Sequence, residues 1–187
     1  MPRDLTQMTE PLPTAAPPSD FTEAMGLLAG GVVMVTTRID GRPWGVTVSA
    51  FASVSAEPPT ILVSLCSETA SARVIEEAGS FGVSILGRQH HPAARHGSTP
   101  GASKFLERFA DPDRHGRSPS VSGALAHLDC DVVERVEVAD HLIFIGRVRH
   151  VRTAAGGDPL VYFRRAYRTL APRIDSPTRG RTQCLSS

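Results

Sequence analysis

Strand-like segments separated by tight-turn signals fill most of this chain and limit its fold more than any other feature. They are rich in Val, Ile and Thr and occupy residues 32–38, 44–48, 60–66, 81–86, 125–138, 141–151 and 160–163. Asp40-Gly41 is typical of a two-residue hairpin turn, and Ala139-Asp140 joins the two longest runs. Many antiparallel-looking strands and few helices predict a mainly β fold, an antiparallel β-barrel with helical additions.

Helices are expected at three places. Asp20 and Glu23 resemble a capping pair, so a short helix should begin there and end at Gly30-Gly31. Residues 70–78 have helical spacing and stop at Gly79. The stretch 87–120 is rich in Pro and His, which predicts a functional loop or lid with a short helix over 102–109.

Composition defines one folded domain and excludes several function classes. Proline-rich residues 1–19 predict a disordered arm and 172–187 a flexible tail, leaving a domain over 20–171. A net charge of +1 gives no field that attracts nucleic acid or a membrane surface, and no apolar run is long enough to span a bilayer. The three cysteines lack close-pair spacing and favour reduced thiols in a cytoplasm, with Cys130 as a buried hydrophobe.

Small residues follow the second strand, in the segment from Gly45 to Leu65. Thr47, Ser49 and Ala50 would let a flat heterocycle lie close to backbone donors and acceptors. A surface turn on a strand rich in Ser and Ala is the alternative.

Hydroxyl side chains stand just before the predicted helix over 70–78. Ser67, Thr69 and Ser71 would place hydroxyls beside a helix N-terminus, where a phosphate group is stabilised. The alternative is that Ser67 or Thr69 simply caps the helix. No glycine-rich phosphate loop of the Rossmann or Walker type is present in the sequence.

Titratable and aromatic residues mark two more segments. Asp140 could hold His141 so that the imidazole titrates near physiological pH, or His141 could be an exposed turn residue. Residues 159–170 combine three aromatic residues with three arginines, which could line a pocket or close a barrel rim. No metal site is expected, because the spacing of the histidines in 90–96 does not suit a helical zinc site and Pro92 interrupts the helix.

Taken in order, these four segments resemble the flavin reductase-like family, the small NAD(P)H:flavin oxidoreductase components of two-component flavin-dependent monooxygenases. The resemblance covers about residues 21–170. It implies an FMN-binding split barrel and a homodimer with flavin near the subunit interface. It also implies FAD or FMN as the flavin, NADH or NADPH as the hydride donor, and a reduced-flavin-dependent monooxygenase as the partner.

The same resemblance assigns site residues. Residues lining the isoalloxazine ring would be Val46, Thr47, Val48, Ser49, Ala50 and Phe51. Those matching the segment that binds ribityl and phosphate oxygens are Cys66, Ser67, Thr69 and Ser71, while Lys104, Phe105 and Tyr167 would complete the flavin pocket. His141 matches the histidine of a Gly-Asp-His segment, with Ala139 in place of the glycine, and is the candidate for the catalytic contact with nicotinamide.

Other functions stay open at this stage. A protein of the same fold could hold flavin tightly for another redox reaction, or bind flavin without catalysis. A plain β-barrel interaction protein would bind no flavin. The residues leave the choices between FAD and FMN and between NADH and NADPH undecided.

Overall fold

The structure, a computed structural model, describes residues 15–112 and 117–171. Its helices are α1 (Pro18–Gly26), α2 (Ala70–Ala78) and α3 (His91–Ser98), with a 3-10 turn over Arg88–His90. Its strands are β1 (Gly30–Gly31), β2 (Val33–Ile39), β3 (Arg42–Val48), β4 (Phe51–Ala56), β5 (Pro59–Cys66), β6 (Ser80–Ile85), β7 (Ala126–Val138), β8 (His141–Thr153), β9 (Val161–Phe163) and β10 (Ala166–Arg168).

Seven strands form one antiparallel sheet in the order β3-β2-β6-β7-β8-β5-β4. Strands β3 and β4 are its opposite edges, yet only Ser49 and Ala50 separate them in the chain. The sheet must therefore curl until its edges meet at this end, while no ladder joins β3 to β4 among the described residues. The predicted mainly β, antiparallel architecture is confirmed, and the open seam agrees with a split barrel.

A second, three-stranded sheet joins the two ends of the domain. Strand β9 pairs with β1 on one side and β10 on the other, both antiparallel. In this sheet Gly30 lies opposite Tyr162, which places the last strands beside the first.

Two apolar clusters stabilise the fold. The inside of the barrel is filled by Val63, Phe81 and Phe144, together with Ile75 from α2, all at most 1% exposed. A second cluster lies between β2 and α3 and includes Met34, Ala94 and Leu106. Helix α2 forms as predicted, because Thr69 Oγ1 accepts the Ala72 N–H at 3.2 Å and Gly79 ends the helix with a φ of 61°.

The first helix differs from the prediction at both ends. Helix α1 begins at Pro18, inside the predicted disordered arm, and Asp20 and Glu23 do not form its cap. Proline suits the first helical turn because its φ is fixed and it has no N–H to satisfy. The helix ends at Gly26, and Gly30-Gly31 forms β1 instead. The rest of the predicted arm (1–14) and the predicted tail (172–187) lie outside the described residues.

The stretch 87–120 also differs from the prediction. Its helix is α3, with Pro92 inside the first turn rather than interrupting it, and residues 102–109 are not helical. Those residues instead extend the sheet edge: the Gly45 N–H donates to the Lys104 carbonyl at 3.0 Å, and Trp44 forms a bridge with Phe105. Pairing with an exposed edge outweighed local helical tendency. Within the described ranges, no helix has the length and apolar character needed to cross a membrane.

Candidate functional site

Two neighbouring clefts open at the end of the barrel where β3 runs into β4. The larger cleft has a volume of about 630 Å³ and lies between α1, the Ser49-Ala50 link and the β9–β10 turn. The smaller cleft, about 290 Å³, shares Ser49, Tyr162 and Arg165 with it. The structure thus brings together the small-residue segment and the closing aromatic segment, which the sequence had suggested separately.

Five of the predicted flavin-binding residues line these clefts. Thr47, Val48 and Tyr167 line the smaller cleft, Ala50 the larger one, and Ser49 both. Val46, Val48 and Phe51 pack against the barrel core, and Val46 and Phe51 line neither cleft. Thr47 points to the other face of β3, where its Oγ1 donates to the Ala94 carbonyl at 2.8 Å.

Aromatic rings form one wall of the smaller cleft. The Tyr162 and Tyr167 ring centroids lie 5.4 Å apart, and the Tyr167 ring meets His91 edge-on at 5.0 Å. The Tyr167 hydroxyl donates to Ser98 Oγ at 3.2 Å, which fixes the ring against the end of α3. Across from it, Ser49 is exposed. Fixed aromatic faces opposite small side chains suit a flat heterocycle.

His141 lies on the outer face of the barrel. In the paired strands Cys66, His141 and Val138 are direct partners, and directly paired residues share a face. Their neighbours Leu65 and Leu142 are buried, 3% and 5% exposed, so Cys66 and His141 point outward. We call Cys66, Val136, Val138, His141 and Ile143 the outer patch. It reaches the larger cleft, since Ser64, opposite Ile143, donates its N–H to the Ala50 carbonyl at 3.0 Å.

The imidazole of His141 is held by the turn that precedes it. Its Nδ1 lies 2.8 Å from Asp140 Oδ1, and this hydrogen bond is the main cause that lowers the pKa of the Asp140 carboxyl. The Asp140 carbonyl accepts from the N–H and Oγ of Ser67 at 2.9 and 3.1 Å. The hydroxyl segment and the histidine turn therefore meet.

Most of the predicted phosphate-binding hydroxyls have partners within the chain. Thr69 Oγ1 donates to the Cys66 carbonyl at 2.8 Å while it caps α2, which is the alternative that the sequence left open. Ser71 is buried, and its Oγ accepts from Trp44 Nε1 at 3.0 Å.

Lys104 and Phe105 lie beside β3 rather than in either cleft. Phe105 meets Trp44 edge-on at 4.9 Å, and the Arg42 guanidinium lies 3.6 Å from its ring centroid. The Lys104 ammonium donates to the His96 and Thr99 carbonyls at the end of α3, and burial lowers its pKa.

Comparison with known proteins identifies the family. A family model described as a flavin reductase like domain matches residues 25–171. The chain belongs to the flavin reductase-like family. The resemblance of its four segments to that family is thereby confirmed, and with it the expected family architecture.

Individual relatives of this flavin reductase-like chain match over most of their length. The reductase component of a 4-nitrophenol 4-monooxygenase/4-nitrocatechol 2-monooxygenase from Rhodococcus opacus is 37% identical, covering 82% of each chain. An NADH-dependent flavin reductase from a Rhodococcus species is 34% identical over 89% of this chain and 94% of its own. Among solved structures, the Streptomyces globisporus NADH:FAD oxidoreductase SgcE6 with NAD and FAD fragments has a TM-score of 0.77 at 26% identity, covering 87% of this chain and 99% of its own.

Two contributors to the clefts were missed in the sequence. Met25 and Leu28, in α1 and just after it, line the larger cleft. The sequence did place these two apolar residues three apart, and the structure buries no residue of α1. Arg165, one of the three arginines in residues 159–170, borders both clefts. Within the described ranges, no three metal-ligating side chains come together.

Proposed function

We propose that this protein is an NADH-dependent flavin reductase that transfers hydride to FMN or FAD and releases reduced flavin to a partner monooxygenase. The observation that carries the proposal is the pair of clefts, which Ser49 and Tyr162 both line, in a chain of the flavin reductase-like family. Relatives named as an NADH-dependent flavin reductase and as a monooxygenase reductase component support it. They also favour NADH over NADPH as donor.

The described residues fit a bound flavin. The wall formed by the two tyrosines and the 47–50 segment offers a flat, mostly uncharged surface with exposed backbone groups. When flavin and NADH are bound, hydride passes between ring atoms that must approach to roughly 3–3.5 Å. The protein then needs to orient two rings and exclude water, with little acid or base chemistry.

Each remaining site residue has a proposed role. Backbone N–H and C=O groups between Val46 and Phe51 would form hydrogen bonds with the edge of the flavin ring. Cys66 and Ser67 lie beside Asp140 and would contact the ribityl chain. The residues that would stabilise this segment without contacting the flavin are Thr69, Ser71, Lys104 and Phe105. His141, held by Asp140 but half exposed, would position the nicotinamide.

The site is proposed to be completed by a second copy of the chain. Val136 and Val138 of the outer patch are 39% and 51% exposed, and they flank His141. Exposed apolar groups around a functional histidine favour burial by a partner surface. A homodimer formed over this patch would place flavin near the subunit interface and would shield the hydride from water.

The activity is proposed to be cytoplasmic, where NADH is available and thiols stay reduced. Cys66 and Cys130 are both free in the described structure, which agrees with that compartment. The monooxygenase would receive reduced flavin by diffusion or in a transient complex, so flavin affinity should be moderate.

One assay tests the function. NADH or NADPH oxidation is followed at 340 nm with FMN, FAD or no flavin, under anaerobic conditions so that reduced flavin accumulates. We expect NADH oxidation that depends on added flavin and leaves free reduced flavin after ultrafiltration. Protein that purifies yellow and keeps its flavin would instead favour the tightly bound alternative. Flavin that raises the melting temperature without any NADH oxidation would favour a non-catalytic module.

A further inference from the structure

Two consecutive arginines occupy a turn where arginine is disfavoured. Arg164 and Arg165 have φ values of 49° and 57°, and they connect the paired residues Phe163 and Ala166. Left-handed backbone at both positions of a two-residue hairpin turn favours Asn-Gly or Asp-Gly. The β2–β3 turn of this same chain uses Asp40-Gly41, with φ values of 51° and 73°. The arginines therefore need an explanation other than turn geometry.

The arginine turn is fixed in place. The Arg164 N–H donates to the Gly26 carbonyl at 2.9 Å, which docks the turn on the end of α1. The Arg164 guanidinium lies 5.4 Å from the ring centroid of Phe163. Arg165 makes no hydrogen bond or ion pair with any residue that the structure describes, and it borders both clefts. The exposed Arg165 side chain thus lies at the junction of the two clefts, without a counter-charge among the described residues.

The charged side chains that line the clefts are all positive. The only ionisable groups of unambiguous charge that line either cleft within the described ranges are Arg164 and Arg165, and no carboxylate lines them. Elsewhere two of the hydroxyls expected to bind ribityl and phosphate oxygens are already engaged, because Thr69 caps α2 and Ser71 accepts from Trp44. Guanidinium binds phosphate through paired N–H donors and remains charged at all physiological pH values.

We propose that Arg165 binds a phosphate group of the nucleotide that occupies these clefts, and so selects nucleotides over their dephosphorylated forms. The inference rests on the proposed function for the identity of the nucleotide. Two sources share this chemistry: the phosphate of FMN or FAD, and the pyrophosphate of the nicotinamide dinucleotide. Arg165 is a specificity residue in either case, because hydride transfer itself needs no cation there.

The test compares Arg165 with a nearby arginine outside the clefts. Arg165→Asn removes the proposed contact, and asparagine tolerates the left-handed backbone there. Arg168→Asn, at an exposed position on β10 that lines neither cleft, is the control. Dissociation constants are measured by flavin fluorescence for FMN, FAD and riboflavin, and KM is measured for NADH and for reduced nicotinamide riboside, which carries no phosphate. Circular dichroism and melting temperature establish that both variants fold.

The outcomes separate the two sources. If the flavin phosphate is the ligand, Arg165→Asn weakens FMN and FAD binding roughly 10- to 100-fold and changes riboflavin binding less than about twofold. If the dinucleotide is the ligand, the KM for NADH rises by a similar factor while flavin affinities stay unchanged. Arg165→Lys should recover part of the loss.

Other results would overturn the proposal. Unchanged FMN affinity together with unchanged NADH KM would refute it, as would equal weakening of FMN and riboflavin, or equal effects of the Arg165 and Arg168 variants. The binding measurement does not depend on turnover. A wild-type protein that binds FMN through Arg165 but oxidises no NADH would contradict the proposed function and leave this inference standing.

Discussion

His141 shows how much one side chain depends on its neighbour. The Asp140 carboxylate accepts from the imidazole Nδ1 at 2.8 Å, so the ring orientation is fixed and Nε2 is directed away from the turn. The sequence predicted this contact because the two residues are adjacent at a hairpin turn. It could not predict that Cys66 and Val138 flank His141, since that depends on strand pairing across the sheet.

His141→Ala is expected to raise the KM for NADH roughly 2- to 10-fold, the range for loss of one hydrogen bond. FMN affinity should change little, because the proposed contacts to the flavin ring and the ribityl chain belong to other residues. His150→Ala, an exposed position near the other end of β8, is the control. Steady-state kinetics and fluorescence titration measure the two quantities. Equal losses of NADH and FMN binding would contradict a role confined to nicotinamide.

Residues 117–121 form an extended segment that lies against the sheet. We call this segment the strap. Ser118 donates its N–H to Asp129 Oδ1 at 3.0 Å, and the Val121 N–H donates to Ser84 Oγ at 3.0 Å. His127 lies between them, with Nδ1 3.0 Å from Ser84 Oγ and Nε2 3.2 Å from Ser118 Oγ. Ser84 Oγ accepts from Val121 and can still donate its own proton to Nδ1, an arrangement that suits a neutral imidazole protonated on Nε2.

This strap makes stability depend on pH. Burial lowers the pKa of His127 below its usual 6.5, against the opposing charge of Asp129 and with a smaller contribution from Arg152. The unfolded chain therefore binds a proton more readily, and the free energy of unfolding falls as pH drops below about 6.5. Each unit by which the pKa is lowered corresponds to about 1.4 kcal/mol.

The measurement is urea unfolding at pH 8 and at pH 5.5. Wild-type protein should lose more stability between these values than His127→Gln, whose side chain cannot take up the proton. The variant is itself less stable at pH 8, so the quantity compared is the difference between the two pH values. An identical pH dependence in both proteins would show that other groups control the loss.

Among the structural elements, the strap is one that the sequence did not predict. Helix α2 and the β2–β3 hairpin were predicted because their signals, Thr69, Gly79 and Asp40-Gly41, are local. The strap has no periodicity, and its anchors are far apart in sequence. Gly82 illustrates this: an added Cβ would collide with Ser118 Oγ, Thr36 Oγ1 and His127 Cε1, a requirement visible only in the folded sheet.

At the scale of the whole molecule, the mainly β architecture could be predicted, because strand patterns and turns recur along the chain. The clefts could not, because they need β1 to pair with β9 and the two sheet edges to meet at Ser49-Ala50. Such long-range pairings leave no mark in local sequence, so the segments that line the clefts were assembled by resemblance alone.

The proposed homodimer is a property of this scale and can be tested on the outer patch. Val136→Glu should convert the protein to a monomer in sedimentation velocity and weaken FMN binding at least tenfold, because a buried, unpaired carboxylate is costly. Val151→Glu is the control, since Val151 is 52% exposed at the opposite end of β8. A Val136→Glu protein that remains dimeric would place the interface elsewhere.

The pairing of Gly30 with Tyr162 has a consequence during synthesis. A ribosome must release almost the entire domain before Tyr162, Arg165 and Tyr167 can reach Ser49. The growing polypeptide therefore lacks one wall of both clefts until residues 162–167 have left the ribosome. A chain terminated before Tyr162 has no means of completing them.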